Sequence, residues 1–454
     1  MAARAGILSA LLIAAGGAVQ PPSVTAAGST VQVDQRYELV ATLDVEAGHL
    51  DAVETLTLTN RSGREIDHLN LSVLSRAFGY VTLGEVTVDG EAVSPSWTTG
   101  TNLEVPIPGA LAPDGTVTVG VRFALDVGNS GGAFTARLSR ENGVVSFAQW
   151  FPILSRVHDS YGIGDPQVTW NAERISLDLT TTAPQPRDAV ACPGLVEAPA
   201  SGGTRWRCIV ENVRDFTFVV NPRFRLTTRS VGDTTLRVYT ETVPGVIVAD
   251  KAETALVGLN EAYGTYPWPD LVLAEVGSGG GFSMEYPRAI HLTRTKVTDT
   301  YVIYHEVAHQ WWYAQVGNDQ MREPWVDEGL ADFSARYLMG TGEEQCSTRA
   351  IDAPIFAWEA GATAPGDWLS CDGYFHTVFY KTTELLTAVR GAMGNDAFFA
   401  ALRSFIDAHR FGVTTGHALL SHLDAATSAD LRPIYAAYVA EVARPMGAGT
   451  KAIR

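Results

Sequence analysis

The sequence predicts an α+β chain in which an antiparallel β domain precedes a mainly helical one. Three observations carry that expectation. From about Thr30 to Leu226 apolar and polar residues alternate, as in Val31-Gln32-Val33, Leu56-Thr57-Leu58, Val117-Thr118-Val119 and Leu177-Asp178-Leu179. Turn signals separate these runs: Asp89-Gly90, Asp114-Gly115 and Asn142-Gly143. Period-two alternation between such turns reads as strands. After about Arg229 the spacing becomes helical, over Ala249 to Tyr263, Thr300 to Gln315, Thr383 to Arg390, Asp396 to Ala408 and Leu431 to Val442. A short strand near Leu271 to Val276 interrupts it, and Gly317 and Gly394 suit helix ends. The expected division is 28–228 for the β domain and 229–447 for the helical one, with 448–454 a frayed tail.

Residues 1–27 read as a signal peptide. Arg4 supplies positive charge, Ala5 to Val19 is apolar, and Val24-Thr25-Ala26 offers a small-residue cleavage site. The run is too short to span a membrane comfortably, and no other stretch qualifies. A secreted or extracytoplasmic protein is expected. The chain of 454 residues is 46% hydrophobic and 18% charged, enough to bury a real core. Its net charge of -17 speaks against nucleic acid as a partner, since binding phosphates needs a basic surface. An acidic surface mildly favours cationic ligands, such as a free peptide amino terminus.

Export also bears on the four cysteines. Cys192–Cys208 and Cys346–Cys371 are the natural disulfides in an oxidising compartment, although four cysteines allow three connectivities. No pair has the spacing of a cysteine zinc knuckle.

The strongest chemical signal is His305-Glu306-Val307-Ala308-His309. On a helix, residues i and i+4 share a face, so both imidazoles can ligate one zinc ion. Glu306 between them lies close to the metal's open position. It can serve as general base and later return the proton to a leaving amine. Glu328 follows His309 by nineteen residues and begins a second helical stretch. Three protein ligands with one open position make a catalytic zinc site. Asp332, one turn beyond Glu328, could accept a hydrogen bond from the outer nitrogen of a ligand histidine, or be a simple helix-pairing aspartate.

With that spacing, and with Gly280-Gly281-Phe282-Ser283-Met284-Glu285-Tyr286-Pro287 upstream, the chain resembles the gluzincin zinc aminopeptidases, the group of aminopeptidase N and the leukotriene-hydrolase-type enzymes. Gln149-Trp150-Phe151-Pro152 and Tyr266-Pro267-Trp268-Pro269 extend the resemblance over nearly the whole mature chain. It implies a saddle-like β domain followed by a thermolysin-like catalytic domain. It also implies a short form without the helical carboxy-terminal domain. By the match, Glu285 would anchor the substrate's free α-amino group, while Gly281 and Met284 lie along the substrate. The insertion of Phe282-Ser283 departs from the family pattern.

A second departure concerns the oxyanion donor. Phe379 stands where the family has a tyrosine, and phenylalanine cannot donate a hydrogen bond. Losing one such donor costs about a hundred- to a thousandfold in rate. Tyr380, after a one-residue shift, or Tyr374, from the preceding loop, could serve instead. The expected function is hydrolysis of amino-terminal residues from peptides with a free amino terminus, with one zinc per chain. Two other readings stay open: a thermolysin-like endopeptidase, and a catalytically weak zinc- or peptide-binding homologue. Epoxide hydrolysis, found in one branch of the family, has no support in these residues.

Overall fold

A computed structural model describes residues 33–129, 135–155, 169–277, 282–320, 322–342, 344–352 and 370–440. The expected signal peptide and tail lie outside these residues. Strand Val33–Asp44 buries every second residue, with Tyr37, Leu39, Ala41 and Leu43 inward. His49–Asn60 and Thr116–Asp126 repeat the pattern. They belong to an eight-stranded sheet ordered Leu195–Glu197, Gly203–Val213, Ala172–Gln185, Val33–Asp44, His49–Asn60, Thr116–Asp126, Val81–Val88, Glu91–Ala92. Its pairs are antiparallel except one, Val33–Asp44 beside Ala172–Gln185. Two four-stranded sheets share its core, where Leu56, Leu71, Trp150 and Phe218 join one apolar cluster. Alternation along each strand is what lets one face feed that core while the other meets water.

The sequence places Thr204 to Val210 beside the segment around Ala191, with Ser201-Gly202-Gly203 in the loop; Cys192 and Cys208 are joined, but not across that hairpin. Ala191 pairs with Val219, whereas Leu195 pairs with Cys208, so the turn at 201–203 connects Leu195–Glu197 to Gly203–Val213. The bulge between Leu195 and Glu197 shifts that register.

The second half opens on a sheet of Arg225–Val231, Thr234–Thr240, Asp270–Val276 and Ala289–Thr293. The division expected at 228/229 falls inside its first strand. Asp270–Val276 has parallel neighbours on both sides and is buried throughout, as a central parallel strand must be. Among the described residues, seven α-helices follow from this sheet's first hairpin onward: α1 Gly245–Tyr263, α2 Thr300–Ala308, α3 Glu328–Met339, α4 Lys381–Met393, α5 Asn395–His409, α6 Gly416–Ala425 and α7 Arg432–Tyr438. A π-helical turn, Phe375–Tyr380, leads into α4. Leu256 and Leu259 of α1, Ile303 and Val307 of α2, and Leu330 and Ala331 of α3 pack in the shared core.

Apolar spacing suggested one helix from Thr300 to Gln315, yet α2 stops at Ala308. His309 Nδ1 donates to the Trp312 carbonyl, and Tyr313, at φ 115°, turns the chain so that its N–H reaches the Val316 carbonyl. Gly317 therefore ends no helix and bridges to Val413. Gly394 does close α4, at φ 82° with its N–H on the Arg390 carbonyl. The halves are tied by polar contacts: Trp268 Nε1 to the Glu211 carbonyl at 3.0 Å, Gly194 N–H to Asp270 at 2.7 Å, and Arg214 to the Gly412 carbonyl at 2.8 Å.

Candidate metal centre and active site

Two caps aim the site. Asp299 accepts from the N–H groups of Tyr301 and Val302 and starts α2. Asp327 accepts from the N–H of Glu328 at 2.8 Å and starts α3 with Glu328 as its first residue. The next residue has to be glycine, because a Cβ at Gly329 would lie 2.5 Å from Thr382 Cβ. That close approach of α3 to α4 brings Glu328 onto the histidine face of α2.

His305 Nε2 stands 3.1 Å from Glu328 Oε2 and 3.1 Å from His309 Nε2, and His309 Nε2 is 3.4 Å from the same Glu328 oxygen. Ligands of a tetrahedral ion at about 2.0–2.1 Å stand roughly 3.3 Å apart. Among the described residues these three form the one group able to hold a metal ion. Their two nitrogens and one carboxylate oxygen suit zinc.

The electrostatics call for a cation as well. Burial favours neutral Glu328, but hydrogen bonds from His305 and His309 outweigh it and hold the carboxyl well below its usual range. Burial likewise disfavours charged His309, yet its bond to Glu328 and the charges of Glu285, Glu328 and Glu306 push it up to about 10. Glu306 is raised well above the carboxylate range by burial, with Glu285 and Glu328 adding to the effect and His309 opposing it. A pocket that raises both the Glu306 carboxyl and the His309 imidazole is short of positive charge.

Glu306 is 6% exposed, and its Oε2 meets no partner among the described residues. Glu285 is 4% exposed and acts electrostatically on both Glu306 and His309. Its neighbour Met284 exchanges two backbone hydrogen bonds with His291, each 2.9 Å. Gln310, which sequence reasoning passed over, holds this segment against the end of α2. Its Nε2 donates to the carbonyls of Glu285 and Tyr286, at 3.3 and 3.2 Å, and its Oε1 accepts from Arg288 N–H at 2.8 Å. A glutamine inside an otherwise apolar run was the available signal. Gly281 lies outside the described residues.

Asp332 does not bond either ligand histidine. Its carboxylate takes the Tyr301 hydroxyl at 2.6 Å, Arg336 Nε at 2.9 and 3.0 Å, and the Thr383 hydroxyl at 2.6 Å. It sits on α3 one turn past Glu328, on the side occupied by those donors. The outer nitrogen of His309 is served by Trp312, 3.0 Å away. Phe379 stacks on His305 with centroids 5.5 Å apart and planes 12° apart. Tyr374 meets Phe379 edge-on at 5.6 Å. Tyr380 lies under the Arg336 guanidinium, 4.9 Å from its ring, and touches His376. Cys346 and Cys371 are also joined, with Cα atoms 5.0 Å apart.

With both the metal group and the Glu285 segment in one half, the relevant comparison is with metallopeptidases. Residues 284–438 match the peptidase family M1 domain. The match lies wholly within this half. Two curated relatives agree. The membrane alanyl aminopeptidase of Manduca sexta is 26% identical over 153 residues, or 31% of this chain and 15% of that protein. Aminopeptidase N of Lactobacillus helveticus is 25% identical over 234 residues, or 43% of this chain and 26% of its own. The chain thus spans about a quarter or less of the length of these relatives. The M1 zinc metallopeptidase of Deinococcus radiodurans shares the fold at 18% identity, with a TM-score of 0.64 over 93% of this chain and 98% of its own. A mutant of that enzyme bound to a Tyr-Ser-Ala substrate gives 0.65 over 90% and 95%. Together these findings make the chain similar to the M1 aminopeptidases in sequence over the metal group and in fold over most of its length. The solved structures agree with a β-rich first domain followed by a helical one.

Proposed function

We propose that the protein is a zinc-dependent aminopeptidase that removes amino-terminal residues from peptides. The observation that carries the reading is the convergence of His305, His309 and Glu328 to within 3.4 Å, with buried Glu306 and Glu285 acting on the same group. Zinc held there supplies Lewis acidity toward a peptide carbonyl and acidifies water. Glu306 is the general base, since its free Oε2 and raised affinity for protons let it take a proton from attacking water and pass it to the leaving amine. Glu285 receives the substrate's α-ammonium, a cation entering surroundings dominated by carboxylates. Met284 runs beside the substrate backbone. The solved M1 enzyme with bound Tyr-Ser-Ala supports a peptide ligand.

Of the two tyrosines, Tyr374 is the better donor to a developing oxyanion, because it adjoins Phe379 beside His305 whereas Tyr380 is engaged by Arg336 and His376. The half before Arg225 acts as the β domain and the half that opens on the strand Arg225–Val231 as the catalytic domain. An extracytoplasmic site of action fits the two cysteine pairs at disulfide distance. No helix of the described residues is long and apolar enough to cross a membrane.

The test compares one short peptide with a free amino terminus against its acetylated form, using zinc-loaded protein. Cleavage of the free form alone, from its amino end, is the expected result. Equal internal cleavage of both would make it an endopeptidase, and inertness toward both would defeat the enzyme reading.

A further inference from the structure

The two ligand histidines are one helical turn apart, yet they are steadied differently. With Nε2 turned toward the metal group, each ring carries its proton on Nδ1. His309 donates that proton to the Trp312 carbonyl at 3.0 Å. His305 Nδ1 is buried and meets no hydrogen-bond partner among the described residues. Metal-bound histidines ordinarily fix their orientation by donating that outer N–H to an oxygen. The acid nearest to this duty, Asp332, is committed to Tyr301, Arg336 and Thr383.

Two aromatic faces meet His305 instead. The Phe379 ring is almost parallel to it, 5.5 Å away. Tyr301, one turn earlier on α2, lies 5.7 Å away at 31°. Both rings are themselves held. The Tyr301 hydroxyl is anchored on Asp332 at 2.6 Å. Phe379 is pressed by Phe375 at 4.9 Å and Tyr374 at 5.6 Å within the π-helical turn. A π-turn widens the helix by one residue and re-aims the side chains it carries. Here it sets Phe379 on His305 and the following Tyr380 under Arg336.

We propose that Phe379 and Tyr301 are positioning residues which fix the imidazole plane of His305 by ring contact, in place of a hydrogen bond to Nδ1. The inference rests on the metal-centre reading above. It gives the phenylalanine in the family's tyrosine slot a task of its own: it guards metal retention. Asp332 then acts on the metal at one remove, through Tyr301.

Chelator competition on the folded protein measures zinc affinity, with the thermal midpoint of the metal-free form followed alongside. Phe379→Leu and Tyr301→Leu should each weaken zinc by about tenfold or more, the usual size for losing support of a ligand histidine. Phe379→Tyr keeps the ring and should bind zinc as the parent does. Tyr301→Phe frees the ring from Asp332 and should fall between parent and Tyr301→Leu. If Phe379→Leu does not fold, Phe379→Met and Tyr301→Leu carry the same comparison. Unchanged affinity in the leucine variants overturns the proposal, as does an equal loss in Phe379→Tyr and Phe379→Leu. A loss that merely tracks a lowered metal-free midpoint also overturns it. His305→Ala separates the two levels: if it too leaves affinity unchanged, the metal-centre reading fails first.

Discussion

Both halves of the molecule bury acids, and they do so to different ends. In the β half, Glu54 points into the core of the eight-stranded sheet, and neither oxygen has a partner among the described residues. Burial alone raises it well above the carboxylate range. Asp215 is raised to about 7 by burial, against the pull of the Phe216 N–H and the Arg137 charge. These groups meet their environment by holding a proton. In the helical half, Glu328 faces two imidazoles and stays ionised, while Glu285, Glu306 and Glu328 together drive His309 up to about 10. A buried carboxylate alone therefore says little about function. The signature of the centre is acids arranged around imidazoles whose Nε2 atoms face each other.

The comparison can be broken most decisively at Glu328. Glu328→Ala should release the metal and abolish peptidase activity, and excess zinc should not restore it; metal analysis with an activity assay decides this. Glu306→Gln should keep the metal and lose about a hundred- to ten-thousandfold in kcat, the range for removing a general base. Glu285→Gln should chiefly raise KM for free peptides and shrink the preference over acetylated ones, on the order of ten- to a hundredfold for a lost charge-assisted contact. Glu54→Gln should shift stability by less than about 1 kcal/mol, because it replaces one neutral group with another. Denaturant melts would show it.

Asp215 sharpens the contrast through pH. Its folded pKa is raised above the ordinary 3.8 to about 7, so its contribution to stability is complete below pH 3.8 and is lost as pH rises through 7. The thermal midpoint should fall over that window in the parent, and Asp215→Asn should flatten the fall.

Much of this was legible in the residues. Period-two alternation exposed the long strands because one of their faces is wet. The fully buried strand Asp270–Val276 was visible as an apolar run, but its partner Ala289–Thr293 is too short to announce itself. The ligands were readable because i, i+4 spacing on a helix is enough to align two rings. What escaped was set by tertiary contact. The end of α2 is fixed by a side-chain bond from His309 to Trp312, not by a breaker residue. Asp332 has the right helical position for a histidine partner, but Tyr301 from α2, Thr383 from α4 and Arg336 one turn along α3 itself claim it. Cys192 and Cys208 stand only 16 residues apart, which makes them natural partners, while the strand register around them comes from a bulge that proximity does not encode.

Gln310 has one more consequence. Its amide joins the Glu285 segment to the last turn of α2 at three points, and its own carbonyl is in turn held by Gln315 at 3.1 Å. Anchor and base therefore travel as one rigid piece. The span between them is set after Met284, by the segment that Gln310 holds, so this one amide fixes the ruler that selects which bond is cut.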